Sequence, residues 1–251
     1  MKEIDIIQFP KIFSLNIECL YQILKKRNNY FSKMSHPFRL IFFGPPGGGK
    51  GTQSAKLKEE FGVHHISTGD ALRAEIRAGT ELGNRVKGIV ESGSLVDDDT
   101  IMDVLKSAIQ KASDTGFILD GIPRTIGQVH KLDNMLKEIG KPVTHVIYIT
   151  VNHDELKKRI VGRLFHPGSG RTYHKEFNPP KVDMKDDLTG EDLIIRKDDT
   201  EEVFEARMKA YNDTFQPVIE YYEKHNLLKT VEGAGKSVDQ IYEEVKAILN
   251  K

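Results

Sequence analysis

The sequence predicts an α/β fold, a doubly wound parallel sheet flanked by helices. Three observations predict it: short apolar runs of the buried-strand kind recur, helical stretches separate them, and a glycine-rich loop follows the first run. The first run is Phe-Arg-Leu-Ile-Phe-Phe at 38–43, and further strands are expected at Phe117–Asp120, 145–149 and 228–231. Strands alternating with helices imply right-handed crossovers and therefore parallel neighbours. Two helix starts carry capping-box spacing, Asn152 with Glu155 and Ser237 with Gln240.

Composition narrows the function class. The 251 residues hold 37 basic and 37 acidic side chains, so the net charge is zero and a dedicated nucleic-acid binder, which shows a basic excess, is not expected. Hydrophobic residues make up 38% and charged residues 29%, as in ordinary globular proteins rather than disordered ones. No apolar run approaches the ~18–20 residues that span a bilayer, so no integral membrane association is expected. One cysteine, Cys19, excludes a disulfide framework and a Cys-rich zinc site.

Residues 1–37 read differently from the rest, with six basic side chains against three acidic ones. Phe13, Ile17, Leu20 and Leu24 recur at helical spacing and predict one amphipathic helix. Lys11, Asn16 and Glu18 interrupt the apolar stretch, which speaks against a secretory signal. This segment is read as an extension of open role, followed by a core over 38–251. A second departure from the strand–helix rhythm runs from His166 to Asp199. It is polar, contains Gly168, Gly170, Pro179, Pro180 and Gly190, and lacks a helical stripe. Segments of that length are usually functional lids or disordered loops. Arg171, Tyr173, Phe177 and Val182 favour a small β-rich insert.

The strongest chemical signal is Gly44-Pro45-Pro46-Gly47-Gly48-Gly49-Lys50-Gly51-Thr52, directly after the first strand. It has the G-x-x-x-x-G-K spacing of a P-loop, with Gly51 at the usual Ser/Thr position and Thr52 next. Glycines let consecutive backbone N–H groups point into one concavity, and the following helix adds its positive end. Lys50 is placed to reach the outer phosphates of a nucleoside triphosphate. Asp120 ends a predicted strand, at the edge where open α/β sheets bind ligands, and is a candidate to hold Mg²⁺ through water. Phosphoryl transfer also needs cations around the migrating group, and arginine binds phosphate oxygens in pairs.

The arginines stand in telling company. Gly-Pro-Pro-Gly-Gly-Gly-Lys-Gly-Thr (44–52), Ser-Thr-Gly-Asp-Ala-Leu-Arg (67–73), Phe-Ile-Leu-Asp-Gly-Ile-Pro-Arg-Thr (117–125), Arg-Ile-Val-Gly-Arg (159–163) and Arg-Lys-Asp-Asp (196–199) together resemble the adenylate kinase family. The resemblance runs from about Phe38 to the C-terminus. It implies a helical segment over 67–96 that binds the nucleoside monophosphate and a long lid over 164–199. Ile122 stands where the family commonly has an aromatic residue.

The resemblance implies two nucleotide sites. ATP would be held by Gly47, Gly48, Gly49, Lys50, Gly51, Thr52, Arg159, Arg163, Thr172, Tyr173 and Lys236. AMP would be held by Thr68, Arg73, Ser94, Leu95, Val96, Gly121, Ile122, Pro123, Arg124, Gln128, Arg196 and Arg207, with Gln128 reading the adenine edge. Lys50, Arg124, Arg163, Arg196 and Arg207 would surround the transferring group. The expected reaction is reversible, Mg²⁺-dependent transfer from ATP to AMP giving two ADP.

Alternatives remain at this level. GTP as donor is the closest rival, because a few backbone contacts decide the donor base. A UMP/CMP kinase shares the core strings but usually has a short lid. A P-loop switch protein predicts one nucleotide site and leaves Asp-Gly-Ile-Pro-Arg without a purpose. Some long lids of the family carry four cysteines and a structural zinc; His166, Ser169, Asp186 and Thr189 stand at those places. Serine and threonine are poor zinc ligands, so no structural zinc is expected and a lid knit by hydrogen bonds among these four is. Gly162 and the Asp198-Asp199 pair mark the expected lid junctions, with a helix cap as the other role open to Asp199. A cytoplasmic monomer is expected, with organellar targeting by 1–37 left open.

Overall fold

The computed structural model describes residues 38–110 and 116–250. The helix expected on Phe13 to Leu24, and the whole extension, lie outside the described residues. Among those described, five parallel strands form one sheet: β1 (Arg39–Phe43), β2 (His64–Ser67), β3 (Phe117–Asp120), β4 (His145–Thr150) and β7 (Leu228–Glu232), in the order β2-β3-β1-β4-β7. The doubly wound reading holds. β1 lies at the centre, with Ile41 opposite Leu119 on one side and Val146 on the other. Leu40, Ile41, Leu119, Val146 and Ile147 are all fully buried. Such side chains contribute about 1.5–3 kcal/mol each on burial, which is why the central strands are near-continuous apolar runs.

β2 was not legible as a strand. Its sequence is His-His-Ile-Ser, and it lies at the sheet edge, where Ile66 alone is buried. An edge strand needs less apolar sequence than a central one.

The helices are α1 (Lys50–Phe61), α2 (Thr68–Ala78), α3 (Glu81–Glu91), α4 (Asp98–Gln110), α5 (Ile126–Glu138), α6 (His153–Val161), α7 (Glu201–Lys224) and α8 (Val238–Leu249). Ser237 and Gln240 form the full capping box at α8. Asn152 caps α6 by accepting from the Glu155 N–H, but the Glu155 carboxylate is taken by Arg159. At α7 the cap is Thr200, so Asp199 does not serve as one. No helix of the described residues is long and apolar enough to cross a membrane.

Between α6 and α7 the polar insert forms a small antiparallel layer. β5 (Arg163–Phe165) pairs with β6 (Thr172–His174), and an isolated bridge joins Phe165 to Ile194. Its apolar content is slight, Leu164, Tyr173 and Leu193 with Met184 against them. Polar contacts do the rest. The buried Asp186 accepts from Arg171 Nε and a terminal guanidinium nitrogen at 2.8 and 2.6 Å, from Tyr173 Oη at 3.0 Å and from Thr189 Oγ1 at 3.0 Å. His166 reaches Ser169 Oγ through Nδ1 and Glu191 through Nε2, both at 2.7 Å. The four residues singled out from the sequence thus meet, with Arg171, Tyr173 and Glu191 added. Among the described residues no group of three or more His, Cys, Asp or Glu side chains is arranged to hold a metal ion.

Candidate active site

The carboxyl ends of β1 and β3 and the loops that follow them face one cleft of about 690 Å³. Gly44 leaves β1 at φ 141°, and a Cβ there would stand 2.5 Å from the Ile149 carbonyl oxygen of β4. Only glycine lets the loop turn that closely over the sheet. The loop enters α1 through Gly49, which has no side chain to cap the helix, so its N-terminal N–H groups face the cleft without a side-chain acceptor. Lys50 bends back over the loop and donates to the carbonyls of Gly44 and Pro45 at 2.8 and 2.7 Å. Burial brings its ammonium down to about 8, against the pull of Asp120.

Asp120 sits at the cleft floor, where β3 ends. Burial opposes its charge, yet His65 (Nε2 to Oδ2 3.4 Å), Lys50 and Arg124 together hold the carboxyl below its usual value. A Cβ on Gly51 would lie 3.4 Å from Asp120 Oδ2, so this carboxylate borders the first turn of α1.

The arginines come from five parts of the chain and meet across the cleft, each balanced by carboxylate or carbonyl oxygen. Asp70 Oδ1 accepts from both Arg73 and Arg196 at 2.6 Å. Asp198 Oδ2 accepts from Arg207 and, at 3.2 Å, from Arg73. Asp199 grips Arg163 through both its oxygens. Arg124 donates to the Gly121 carbonyl at 2.8 Å. Arg196 also lies over the Phe165 ring, 3.7 Å from its centroid. Burial first, and neighbouring arginines second, bring Arg196 down to about 9. Arg163 goes the other way, because Asp199 outweighs its burial. Arg163 and Arg196 remain cationic at neutral pH. The buried Nε atoms of Arg73 and Arg196 have no acceptor among the described residues.

Every residue expected at the two sites lines this cleft or a smaller cavity of about 50 Å³ beside it. Gly47 to Thr52, Asp120, Arg159, Arg163, Thr172, Tyr173, Lys236, Ile122, Pro123 and Arg196 line the large cleft. Thr68, Ser94, Val96 and Gln128 line the small one. Arg73, Leu95, Gly121, Arg124 and Arg207 line both, at the junction. Two placements differ in detail from the sequence reading. The Tyr173 hydroxyl turns into the insert toward Asp186, and Lys236 pairs with Glu244 at 2.6 Å.

The family model for adenylate kinase matches residues 42–227. A Trichomonas vaginalis protein named adenylate kinase is 61% identical over 211 residues, 84% of this chain and 92% of that protein. Adenylate kinases of Vanderwaltozyma polyspora and Neurospora crassa are 43% and 44% identical, covering 88% and 84% of this chain and 99% and 76% of their own lengths. The chain belongs to the adenylate kinase family. It is a phosphotransferase acting between adenine nucleotides.

Sequence reasoning named the arginines that meet here and missed their counter-ions. Asp70, Asp198 and Asp199 stand inside the same short strings as Arg73 and Arg196, and that adjacency was the available signal. His65 was hidden in a strand too polar to recognise. The Thr52 and Thr172 hydroxyls, 2.9 Å apart, join α1 to the lid strand β6 and could not be paired from sequence.

Proposed function

We propose that the chain catalyses reversible transfer of the terminal phosphoryl group of ATP to AMP, giving two ADP. The observation that carries this reading is the junction of the two cavities: Arg73, Arg124 and Arg207 line both, and Lys50, Arg163 and Arg196 face the same space. The large cleft takes the donor, with its phosphates in the loop from Gly47 to Thr52 and its base toward Arg159 and Lys236. The small cavity takes the acceptor, with Arg73 and Arg124 on its phosphate and Gln128 at its base.

The acceptor is a phosphate oxygen, anionic at neutral pH, so no side chain has to remove a proton from it. Positioning and charge stabilisation supply the catalysis. Lys50 leaves its carbonyl contacts to follow the migrating charge. Arg163, Arg196 and Arg207 exchange Asp199, Asp70 and Asp198 for phosphoryl oxygens. The insert over 164–199 closes as a lid and excludes water, which would otherwise compete with AMP. Asp120 fits a magnesium site: it is an ionised oxygen ligand bordering the start of α1, the chemistry this hard cation selects. Bound there through water, the ion would neutralise phosphate charge. The two cavities are built within one chain, which supports a monomer, and the compartment proposed for it is the cytoplasm.

The test is an ADP-production assay with Mg²⁺, crossing ATP and GTP as donors with AMP, UMP and CMP as acceptors. ADP from ATP plus AMP, with little turnover of the pyrimidine acceptors, is the expected result. Turnover with GTP but not ATP would reassign the donor cavity. Absence of transfer from folded protein that binds nucleotide would refute the proposal.

A further inference from the structure

Gln128 is 2% exposed, yet it lines the small cavity. Its orientation is set from both ends. Oε1 accepts from the Arg124 backbone N–H at 2.7 Å, and Nε2 donates to Asp98 Oδ1 at 2.9 Å. Chemistry demands this assignment. A flipped amide would set its NH₂ against a backbone N–H and its oxygen against a carboxylate. Asp98, the first residue of α4, is itself held: Thr125 Oγ1 lies 3.5 Å from both its oxygens and accepts from the Gln128 N–H at 3.1 Å. It reaches this place because residue 127 is glycine, where a Cβ would stand 2.8 Å from Asp98 Oδ2.

The amide has two N–H groups and two oxygen lone pairs. One of each is used, leaving one donor and one acceptor of known polarity. A 6-aminopurine matches them, offering its amino group to Oε1 and a ring nitrogen to Nε2. A 6-oxopurine presents a carbonyl and an N1–H instead, so both contacts become repulsive. We propose that Asp98 is a specificity-determining residue of the acceptor site: by pinning the Gln128 amide it makes the cavity accept a 6-aminopurine monophosphate and reject a 6-oxopurine one. Asp98 acts through Gln128, as a positioning residue. The inference rests on the small cavity being the acceptor site.

The experiment compares kcat/KM for AMP and for inosine monophosphate, with ATP as donor, in the full chain and in Asp98→Ala, Asp98→Asn and Gln128→Ala. The unaltered chain prefers AMP. In Asp98→Ala the AMP-to-IMP ratio falls about tenfold or more, the loss of one oriented bidentate contact, through a higher KM for AMP at little change in kcat. Asp98→Asn keeps an oxygen acceptor for Nε2 and holds the ratio within about threefold of the original. If Asp98→Ala does not fold, Asp98→Ser, which falls short of Gln128, carries the same expectation. A merely structural role would lower both substrates equally, and that result overturns the proposal. So does Asp98→Asn falling as far as Asp98→Ala, which would make charge rather than orientation the cause. An unchanged ratio in Asp98→Ala with a collapsed one in Gln128→Ala defeats the proposal and leaves the acceptor site standing. An unchanged ratio in Gln128→Ala, or no preference for AMP in the original chain, defeats both.

Discussion

At the scale of single residues the cleft is a set of charges waiting for phosphate. Lys50 donates to two carbonyls that a nucleotide displaces, and burial holds its ammonium near 8. Lys50→Met should lower kcat by about 10²–10³, in line with the loss of one preorganised donor to a transition-state charge, and leave the KM for AMP little changed. Steady-state kinetics with AMP varied checks this. The same lysine predicts a proton signature. Above about pH 8 the free enzyme favours the neutral amine, whereas a bound triphosphate favours the ammonium. ATP binding should therefore take up a proton at pH 8–9, and affinity should weaken as pH rises through that window. Calorimetry at pH 8.5 in buffers of different ionisation enthalpy measures the uptake, and Lys50→Met should abolish it.

At the scale of elements the insert proposed as a lid stands apart, because polar contacts hold it more than its small core does. Asp186 is fully buried and collects Arg171, Tyr173, Thr189 and the Leu188 and Thr189 backbone N–H groups. Removing one partner of such a cluster costs about 3–5 kcal/mol when both are buried; Arg171 is partly exposed, so about 2–3 kcal/mol is expected for Asp186→Ala. The loss belongs to the insert, so lid amides should exchange hydrogen faster while sheet amides do not. The pH sense follows from the Arg171 hydrogen bonds, the largest influence holding the Asp186 carboxyl far below its ordinary value. Its contribution is complete above about pH 4, the ordinary carboxylate value, and is lost as pH falls further. Amide exchange measured between pH 6 and 3 should show the lid loosening first.

At the scale of the whole molecule the sheet brings distant segments to one edge. β1 delivers the phosphate loop, β3 delivers Asp120 and the Gly121–Arg124 turn, and the β2–α2 junction delivers Thr68 and Arg73. Long-range pairs then close the cleft, Asp70 of α2 with Arg196 near the end of the insert and Thr52 of α1 with Thr172 of β6. The unit Phe38–Lys251 holds all of these residues. A chain begun at Phe38 is accordingly expected to fold and to produce ADP from ATP and AMP within about twofold of the full chain. Circular dichroism and the coupled assay test that expectation.

The amino-acid order by itself determined the local features. A buried parallel strand must be apolar, a glycine-rich loop shows by its fixed spacing, and a capping box needs its residues three apart, so β1, β3, β4, the 44–52 loop and the α8 start were all readable; β7 was named too, although at its edge position only Val231 is buried. The arginines were readable through the strings around them. What was not readable depends on partners distant in the chain. β2 is a strand because β3 pairs with it, not because His-His-Ile-Ser is apolar. Asp70 serves Arg196 across 126 positions, and Asp98 orients Gln128 across 30. Sequence shows which side chains carry charge or hydrogen bonds; which of them meet is decided by how the sheet and its helices pack.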